Sequence, residues 1–301
     1  MKKIVGLGAC VYDTLIKCNA YPTEDTKMKA NQITVSGGGP VGNALVVASK
    51  LGMSAKVIGG FANDEAGKYL IGDFNKYGVN TDSVVIKDNA TSFVSYILLS
   101  EKEGTRTCVF DRGTVVDEES NVSLSAIDDV DVLHLDGNYL KGAISAAKYA
   151  KSKGVAVSLD AGGLYEGIET LLPYVDILIP SSEFILGLTK KTDIKEAMLE
   201  TYAKYKPKVF AVTDGKNGGY YYDDGKLVHY DAFSIETIDS NGAGDTFHGA
   251  FLYAYFNGRN VGQACEFASA TSAYKCGFVG ARTYPLDEEK VLNFIETHSN
   301  N

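Results

Sequence analysis

Short runs of consecutive apolar residues alternate along the chain with longer stretches whose apolar positions recur at helical spacing. The apolar runs fall at residues 3–7, 55–58, 131–135, 155–159, 175–179 and 208–213. Continuous apolar runs of this length are typical of parallel strands buried on both faces. The stretches 40–51, 64–76, 139–152 and 193–205 predict helices between them. The order predicts βαβ units in a doubly wound sheet, so we expect an α/β core with a mostly parallel sheet.

Two segments, residues 12–35 and 91–112, do not fit this alternation of strands and helices. In the second, alternating stretches flank Glu103-Gly104, a pattern that predicts a β-hairpin. We therefore expect a small separate sheet from these two segments, and a core from residues 1–11, 36–90 and 113–301. A further hairpin is predicted around Asp224-Gly225, and the chain is expected to be helical after residue 242.

Composition narrows the class of protein. With 301 residues, 45% of them hydrophobic, the chain can bury one large core. No apolar run approaches the roughly 18 residues that a membrane span needs, and the N-terminus lacks a signal-peptide pattern, so we expect a cytoplasmic protein without a membrane partner. Five cysteines without a CxxC pair argue against a disulfide framework or structural zinc. The formal charge of −9 argues against binding nucleic acid.

The strongest chemical signal is the sequence DSNGAGDTF at residues 239–247, which leads into an apolar helical run. The small residues Gly242 to Gly244 let the backbone approach a ligand closely, and the following helix would direct its N-terminal N–H groups at an anion. Asp245 could accept a proton from a hydroxyl group held beside that anion. The alternative is that Asp245 only caps the helix and that the glycines form a tight turn.

A second glycine-rich segment, SGGGPVGN at residues 36–43, precedes the first predicted helix. Its Gly37-x-Gly39-x-x-Gly42 spacing, with Asp64 about 20 residues further on, matches a dinucleotide-binding fingerprint. The preceding residues are polar and alternating, and Pro40 lacks an N–H group near the supposed pyrophosphate, which argues against that interpretation. A dinucleotide-dependent oxidoreductase that uses Gly37–Gly42 stays open as the alternative.

A third segment, VTDGKNGG at residues 212–219, lies at the carboxyl end of a predicted parallel strand. Ligands of open α/β sheets bind at that edge, and a threonine hydroxyl beside glycine backbone can contact phosphates. An ordinary turn into the following hairpin explains the same residues equally well.

Taken in order, these three segments resemble the ribokinase family of carbohydrate kinases, also called the PfkB family. The resemblance extends over nearly the whole chain and is most specific in residues 241–245. It implies a three-layer α/β core with a small β-sheet lid. It also implies transfer of the γ-phosphate of ATP to a hydroxyl group of a sugar or related polyol, with a nucleoside as the alternative acceptor in the same family.

The resemblance also assigns roles to individual residues. It makes Asp245 the catalytic base and the backbone N–H groups of Gly242, Ala243 and Gly244 the anion hole. The expected substrate contacts are Asp13, Gly38, Gly39, Asn43 and Arg106, and the expected ATP contacts are Thr213, Gly215, Gly218 and Ser269. His248, three residues after Asp245, invites an Asp–His pair, but we expect a structural role for it and for His134.

The cations implied by the resemblance are Mg²⁺, which accompanies ATP, and potassium. Asp239 and Asn241 match positions that bind a monovalent cation in many family members. The family often carries Asn-x-x-Glu to organise magnesium, whereas this chain reads SSEF at residues 181–184, so that Glu183 stands one place out of register. The exposed edges of the lid strands further suggest a homodimer formed through the lid.

Overall fold

The computed structural model describes residues 1–103, 105–115 and 117–298. The strands in chain order are β1 (Lys3–Leu7), β2 (Val11–Cys18), β3 (Gln32–Gly38), β4 (Ser54–Val57), β5 (Gly59–Ala62), β6 (Val84–Lys87), β7 (Val94–Ser100), β8 (Thr105–Asp111), β9 (Val132–Leu135), β10 (Ala156–Ala161), β11 (Ile177–Pro180), β12 (Val209–Thr213), β13 (Gly219–Asp223) and β14 (Lys226–Tyr230). The α-helices are α1 (Pro40–Lys50), α2 (Glu65–Lys76), α3 (Leu140–Ser152), α4 (Ser182–Thr189), α5 (Ile194–Tyr205), α6 (Ala243–Phe256), α7 (Val261–Cys276) and α8 (Glu288–His298).

The central sheet has eight strands in the order β14-β13-β12-β11-β10-β9-β1-β4. Pairing is parallel from β4 to β12 and antiparallel through the last two strands, which form the hairpin predicted at Asp224-Gly225. The mostly parallel α/β core is therefore confirmed. Because the parallel strands run in one direction, their carboxyl ends meet at one edge, where such sheets bind ligands.

Helices cover both faces of this sheet and give three layers. One hydrophobic core packs α1, α6 and α7 against the sheet, and the other packs α3, α4 and α5 against the opposite face. Neighbouring residues of β1 enter different cores, Ile4 the first and Val5 the second, as the alternation of side chains along a strand requires. This two-sided burial explains why the strands read as continuous apolar runs.

The two segments that did not fit the βαβ pattern, residues 12–35 and 91–112, supply most of a separate small sheet with the strand order β3-β2-β7-β8. The β2–β3 and β7–β8 pairs are antiparallel, and the central β2–β7 pair is parallel. The β-hairpin predicted in residues 91–112 is confirmed, although Gly104 in its turn lies outside the described residues. The parallel pairing in the middle was not predicted, because no local pattern links strands this far apart in sequence.

One helix, α4, and two strands, β5 and β6, were not predicted. Helix α4 has only eight residues, too few for a helical pattern of apolar positions to show in the sequence. The Ser181 hydroxyl marks its start by accepting a hydrogen bond from the Phe184 N–H (3.1 Å). Strands β5 and β6 form a two-stranded parallel sheet of four residues each, too short for periodicity to show. Within the described ranges, no helix has the length and apolarity to cross a membrane.

Candidate active site

Two pockets adjoin at the start of α6. The first, the small-sheet pocket, has a volume of about 360 Å³ and lies between the small sheet and the residues that lead into α6. The second, the α7 pocket, has a volume of about 640 Å³ and is lined by the β12–β13 turn and by α7. Both pockets are lined by Ser240, Ala243 and Gly244. A ligand in one pocket would therefore meet a ligand in the other at the N-terminus of α6.

The backbone at the start of α6 lies open to the two pockets at Gly244 and is tightly packed at Gly242. Gly242 is the N-cap residue with φ of 76°, and a side chain there would lie 2.7 Å from the Ala281 Cβ. At Gly244, by contrast, an added Cβ would meet open space. The first N–H groups of a helix have no partner within it and carry its positive dipole end. Of the three predicted anion-hole donors, Ala243 already donates its N–H to the Ser240 carbonyl at 3.2 Å.

Asp245 lies in the first turn of α6, two residues beyond its first residue, and does not cap it. The capping interpretation is therefore wrong. Its Oδ2 accepts a hydrogen bond from Asn43 Nδ2 at 2.7 Å, and the residue lines the small-sheet pocket. Burial, and next the charge of Asp160, raise the pKa of Asp245 to about 6, against the Asn43 hydrogen bond and the nearby His248. A carboxylate with this pKa is ionised at neutral pH yet basic enough to take a proton.

A buried arginine, Arg282, contacts Asn43 on the side away from Asp245. Arg282 is 1% exposed and donates its Nε–H to Asn43 Oδ1 at 2.7 Å. It also donates to the Asp73 carboxylate (2.7 Å) and to the Gly38 carbonyl (2.8 Å). Because Asn43 Oδ1 already accepts from Arg282, its Nδ2 faces Asp245 as a donor. Nothing in the sequence singled out Arg282.

The same arginine explains the glycine fingerprint. A Cβ at Gly37 would lie 2.1 Å from Arg282 Nη1, and a Cβ at Gly42 would lie 2.4 Å from its Nη2. These glycines make room for a guanidinium group of the chain itself. Asp64, the supposed ribose ligand, instead caps α2 by accepting from the Gly67 N–H at 2.7 Å. The geometry does not support a dinucleotide site at Gly37–Gly42.

The predicted substrate contacts meet around the small-sheet pocket. Asp13 Oδ1 accepts from the Ser95 hydroxyl at 2.6 Å, and burial raises the pKa of Asp13. A Cβ at Gly38 would lie 1.9 Å from Asp13 Oδ2, and Gly39 has φ of 89°. Arg106 reaches from β8 to donate its Nη1–H to Asn241 Oδ1 at 2.7 Å. The pocket beside Asp245 is lined by Asp13, Gly39, Asn43 and Arg106. Gly38 does not line it, and instead makes room for the Asp13 carboxylate.

The four predicted ATP contacts share the α7 pocket. Thr213 ends β12, Gly215 and Gly218 form the turn that follows it, and Ser269 lies on α7. Gly218 has φ of 77°, and a Cβ there would lie 2.0 Å from the Tyr230 carbonyl oxygen. The Ser269 hydroxyl donates to the Asp231 carbonyl at 3.1 Å. The structure thus gathers these residues into one pocket, as an ATP site requires.

Glu183 does not join the site. It lies in the first turn of α4, is exposed and lines neither pocket. Among the described residues no group of three or more His, Cys, Asp or Glu side chains could hold a metal ion. The position of Glu183 therefore does not support the predicted contact with magnesium.

The residues predicted to hold potassium already face a positive charge of the chain. Lys275 Nζ donates to the Asp239 carbonyl oxygen at 2.6 Å and lies 3.9 Å from Asp239 Oδ2. The Asn241 side chain is engaged by Arg106. Two unit charges of like sign 4 Å apart repel by about 4 kcal/mol at an effective dielectric constant of 20. A monovalent cation therefore does not fit beside Asp239 as the chain is arranged.

A second cluster of ionisable groups lies behind Asp245. His248 Nε2 is 3.2 Å from Asp160 Oδ1, so His248 pairs with a carboxylate other than Asp245. The rings of His134 and His248 pack with centroids 5.7 Å apart, and burial lowers the pKa of His134 to about 3. Asp160 was missed, although it follows a buried apolar run at the carboxyl edge of the sheet, a position that could have marked it.

Comparisons with known proteins show the family of the chain. The sequence profile of the pfkB family carbohydrate kinases matches residues 1–289, so the chain belongs to that family. The probable fructokinase-5 of Arabidopsis thaliana is 28% identical over 284 residues, which cover 85% of this chain and 87% of that protein. A putative ribokinase from Agrobacterium tumefaciens has the same fold, with a TM-score of 0.93 and 23% identity over 100% of this chain and 99% of that one. Ribokinase of Arabidopsis thaliana, solved with ribose and ATP, has a TM-score of 0.87 and 24% identity over 98% and 99% of the chains.

Proposed function

We propose that this protein transfers the γ-phosphate of ATP to a hydroxyl group of a sugar or related polyol, with Asp245 as the general base. Membership of the pfkB family supports kinase activity. The observation that carries the finer proposal is the place of Asp245, which lines the small-sheet pocket beside the residues shared with the α7 pocket. An acceptor hydroxyl in the first pocket would thus lie between this carboxylate and a phosphate in the second.

On the acceptor side, Asp13, Asn43 and Arg106 would bind hydroxyl groups and orient the acceptor. The reacting hydroxyl would donate a hydrogen bond to Asp245 and pass its proton to that carboxylate as its oxygen attacks the γ-phosphorus. The bond from the γ-phosphorus to the β,γ-bridging oxygen would break at the same time, and ADP would leave. The raised pKa of Asp245, about 6, makes it a stronger base than an exposed aspartate while it stays ionised at neutral pH.

On the nucleotide side, Thr213, Gly215, Gly218 and Ser269 would hold ATP in the α7 pocket. The N–H groups of Gly242 and Gly244, and that of Ala243 once it turns from the Ser240 carbonyl, would stabilise the charge on the transferred phosphoryl group. Mg²⁺ bound to ATP would neutralise phosphate charge, and phosphate and water oxygens supply most of its ligands in such sites. Within the part of the chain that the structure describes, no group of carboxylates is arranged to hold it.

A nucleoside is the second candidate acceptor, favoured by one observation. Phe93 and Phe110 line the small-sheet pocket with ring centroids 5.8 Å apart. An aromatic pair of this kind can stack on a nucleobase.

The test is ADP release from Mg-ATP across a panel of sugars, polyols, sugar acids and nucleosides, beside thermal shifts with Mg-ATP and with NAD. We expect release with at least one sugar-like acceptor and stabilisation by Mg-ATP. Release with nucleosides alone would select the second candidate. Stabilisation by NAD and none by Mg-ATP would contradict a kinase.

A homodimer through the small sheet is part of the proposal. Val35, Thr14, Tyr96 and Val109 lie side by side across its four strands, on the face opposite Arg106 and Asp13. Tyr96 and Val109 are 51% and 62% exposed, an apolar face that a second copy would cover. Light scattering should give a dimer that Tyr96→Lys converts to a monomer, and a strictly monomeric parent protein would contradict it.

A cytoplasmic location is also kept as a proposal. All five cysteines lie within the described residues and are free, and four of them are buried. Free thiols of this kind are typical of a reducing compartment.

A further inference from the structure

Lys275 is a buried cation outside the roles assigned so far. It lies in the last turn of α7 and its side chain is 0% exposed. Lysine is rarely buried completely, because its ammonium group loses hydration, unless a partner compensates. Here the partner is Asp239, through both its carbonyl oxygen (2.6 Å) and its carboxylate (3.9 Å). Burial lowers the pKa of Lys275, and the charge of Asp239 opposes that shift.

Asp239 connects this charge to the anion-binding segment. Its Oδ1 accepts from the Asn241 N–H and its Oδ2 from the Gly280 N–H, both at 2.8 Å. The Asp239 N–H donates to the Cys276 carbonyl at 3.1 Å, which ties the segment to the end of α7. Three residues after Asp239 the chain reaches Gly242 and the start of α6. The ammonium therefore sits beneath the backbone that leads directly to Gly242–Asp245.

An ammonium group and a potassium ion share the properties that matter at such a place. Each is a compact single positive charge that binds carbonyl and carboxylate oxygens. Asp239 offers both kinds of oxygen, and Lys275 Nζ occupies the space in front of them. The space beside these oxygens holds one cation, and in this chain that cation is the ammonium group of Lys275.

We infer that the Lys275 ammonium is a built-in replacement for the monovalent cation that the resemblance implied at Asp239, and that it holds residues 239–245 ready to bind phosphate. Lys275 acts through Asp239 and is a positioning residue. The inference rests on the proposed kinase function. Its consequence is a kinase that needs neither potassium nor another monovalent cation.

The first experiment measures parent activity in potassium chloride and in tetramethylammonium chloride at matched ionic strength of about 100 mM, so that screening is equal. We expect the same rate in both salts. A rate several-fold higher in potassium would overturn the inference while leaving the kinase assignment intact. An enzyme inactive with every acceptor in both salts would instead count against the proposed function.

The second experiment removes the Lys275 ammonium group and so empties the space beside the Asp239 oxygens. In Lys275→Ala the oxygens of Asp239 face a space that a free cation can enter, so activity should fall in tetramethylammonium and recover with potassium. A coupling of the usual size would make the recovery about 5- to 150-fold. Lys275→Met fills the space without a charge, and its activity should fall without recovering in potassium.

A melting curve without ATP or acceptor gives a readout independent of activity. Potassium should raise the melting temperature of Lys275→Ala more than tetramethylammonium does, and should not do so for the parent. The matched control is Lys151→Ala, which removes the lysine 2.6 Å from the buried Asp176 at a distant place in the fold. That variant should lose stability without any potassium-specific recovery. If Lys275→Ala, like Lys151→Ala, loses stability without recovering it in potassium, Lys275 only forms a structural ion pair and the inference fails.

Discussion

Asn43 donates its side-chain N–H to Asp245 Oδ2 at 2.7 Å, although 202 residues separate them in the sequence. The orientation of the Asn43 amide follows from its other contact, because Arg282 Nε–H donates to its oxygen at 2.7 Å. The hydrogen bond from Asn43 to Asp245 favours the ionised form of Asp245, whereas burial and the charge of Asp160 favour the protonated form. The pKa of about 6 results from these opposing effects.

The pair predicts the effect of Asn43→Ala. Without the amide donor, the pKa of Asp245 should rise above its present value of about 6, because burial is no longer opposed by that bond. The acid limb of the kcat–pH profile should move to higher pH. Arg282 would also lose a partner, and a buried unpaired donor costs about 1–3 kcal/mol of stability. An acid limb at the parent position would show that Asn43 does not tune Asp245.

The parent enzyme should itself show this titration. Asp245 must be ionised to accept a proton, so kcat should rise with pH through about 6 and then level off. Asp136, a buried carboxylate with a pKa also raised to about 6 by burial, is the competing group. The control is Asp136→Asn, which should keep the acid limb. Loss of the limb in that variant would assign the titration to Asp136.

Much of the fold could be predicted because its strands are buried on both faces. The apolar run at residues 3–7 matches β1 at both ends, and the helix predicted at 40–51 differs from α1 by one residue. The parallel pairing of β2 with β7 could not be predicted, because it joins two segments whose local patterns only show that each is a strand.

Some residues of the candidate site could also be predicted from the sequence, and others could not. Asp245 and its neighbours could be predicted as a site, because the residues proposed to bind phosphate stand next to one another in the sequence. Arg282 and Lys275 were missed, since each acts through a residue far away in sequence. Lys275 looks like any surface lysine in the sequence, and only the packing of α7 shows that it is buried.

Gly244 offers a test of the anion hole. An alanine methyl at this position would meet no protein atom within 4 Å and would project into the space between the pockets. Alanine in place of a helical glycine usually stabilises a protein by about 0.4–1 kcal/mol, so Gly244→Ala should fold at least as well as the parent. Its kcat/KM for ATP should fall, because the methyl group hinders the phosphate.

The matched control is Gly72→Ala in α2, where an added methyl also meets open space far from the pockets. That variant should gain stability and keep full activity. If Gly244→Ala is as active as Gly72→Ala, phosphate does not bind against the start of α6.

The stability of Asp245→Asn follows from the direction of the pKa shift. The pKa of Asp245 is higher in the folded protein than in the unfolded chain, so the folded state is disfavoured once the carboxylate ionises. Removing the charge should leave the melting temperature at about pH 7.5 equal to or above that of the parent. The difference should shrink as the pH falls below the folded-state pKa and vanish at about pH 3, where the carboxyl group is protonated in both states. A variant that melts well below the parent at neutral pH would contradict this sign.

The most direct test of the account is kcat of Asp245→Asn on the best acceptor, measured beside that melting curve. Loss of a general base usually lowers the rate by about 10² to 10⁴, and ATP affinity should change little because the N–H groups of Gly242–Gly244 remain. The control is Asp193→Asn, the same change at the N-cap of α5, which should be silent. The account predicts a folded Asp245→Asn variant with a kcat reduced at least about a hundredfold. A folded variant that keeps more than about a tenth of the parent kcat would contradict the role of Asp245 as the base.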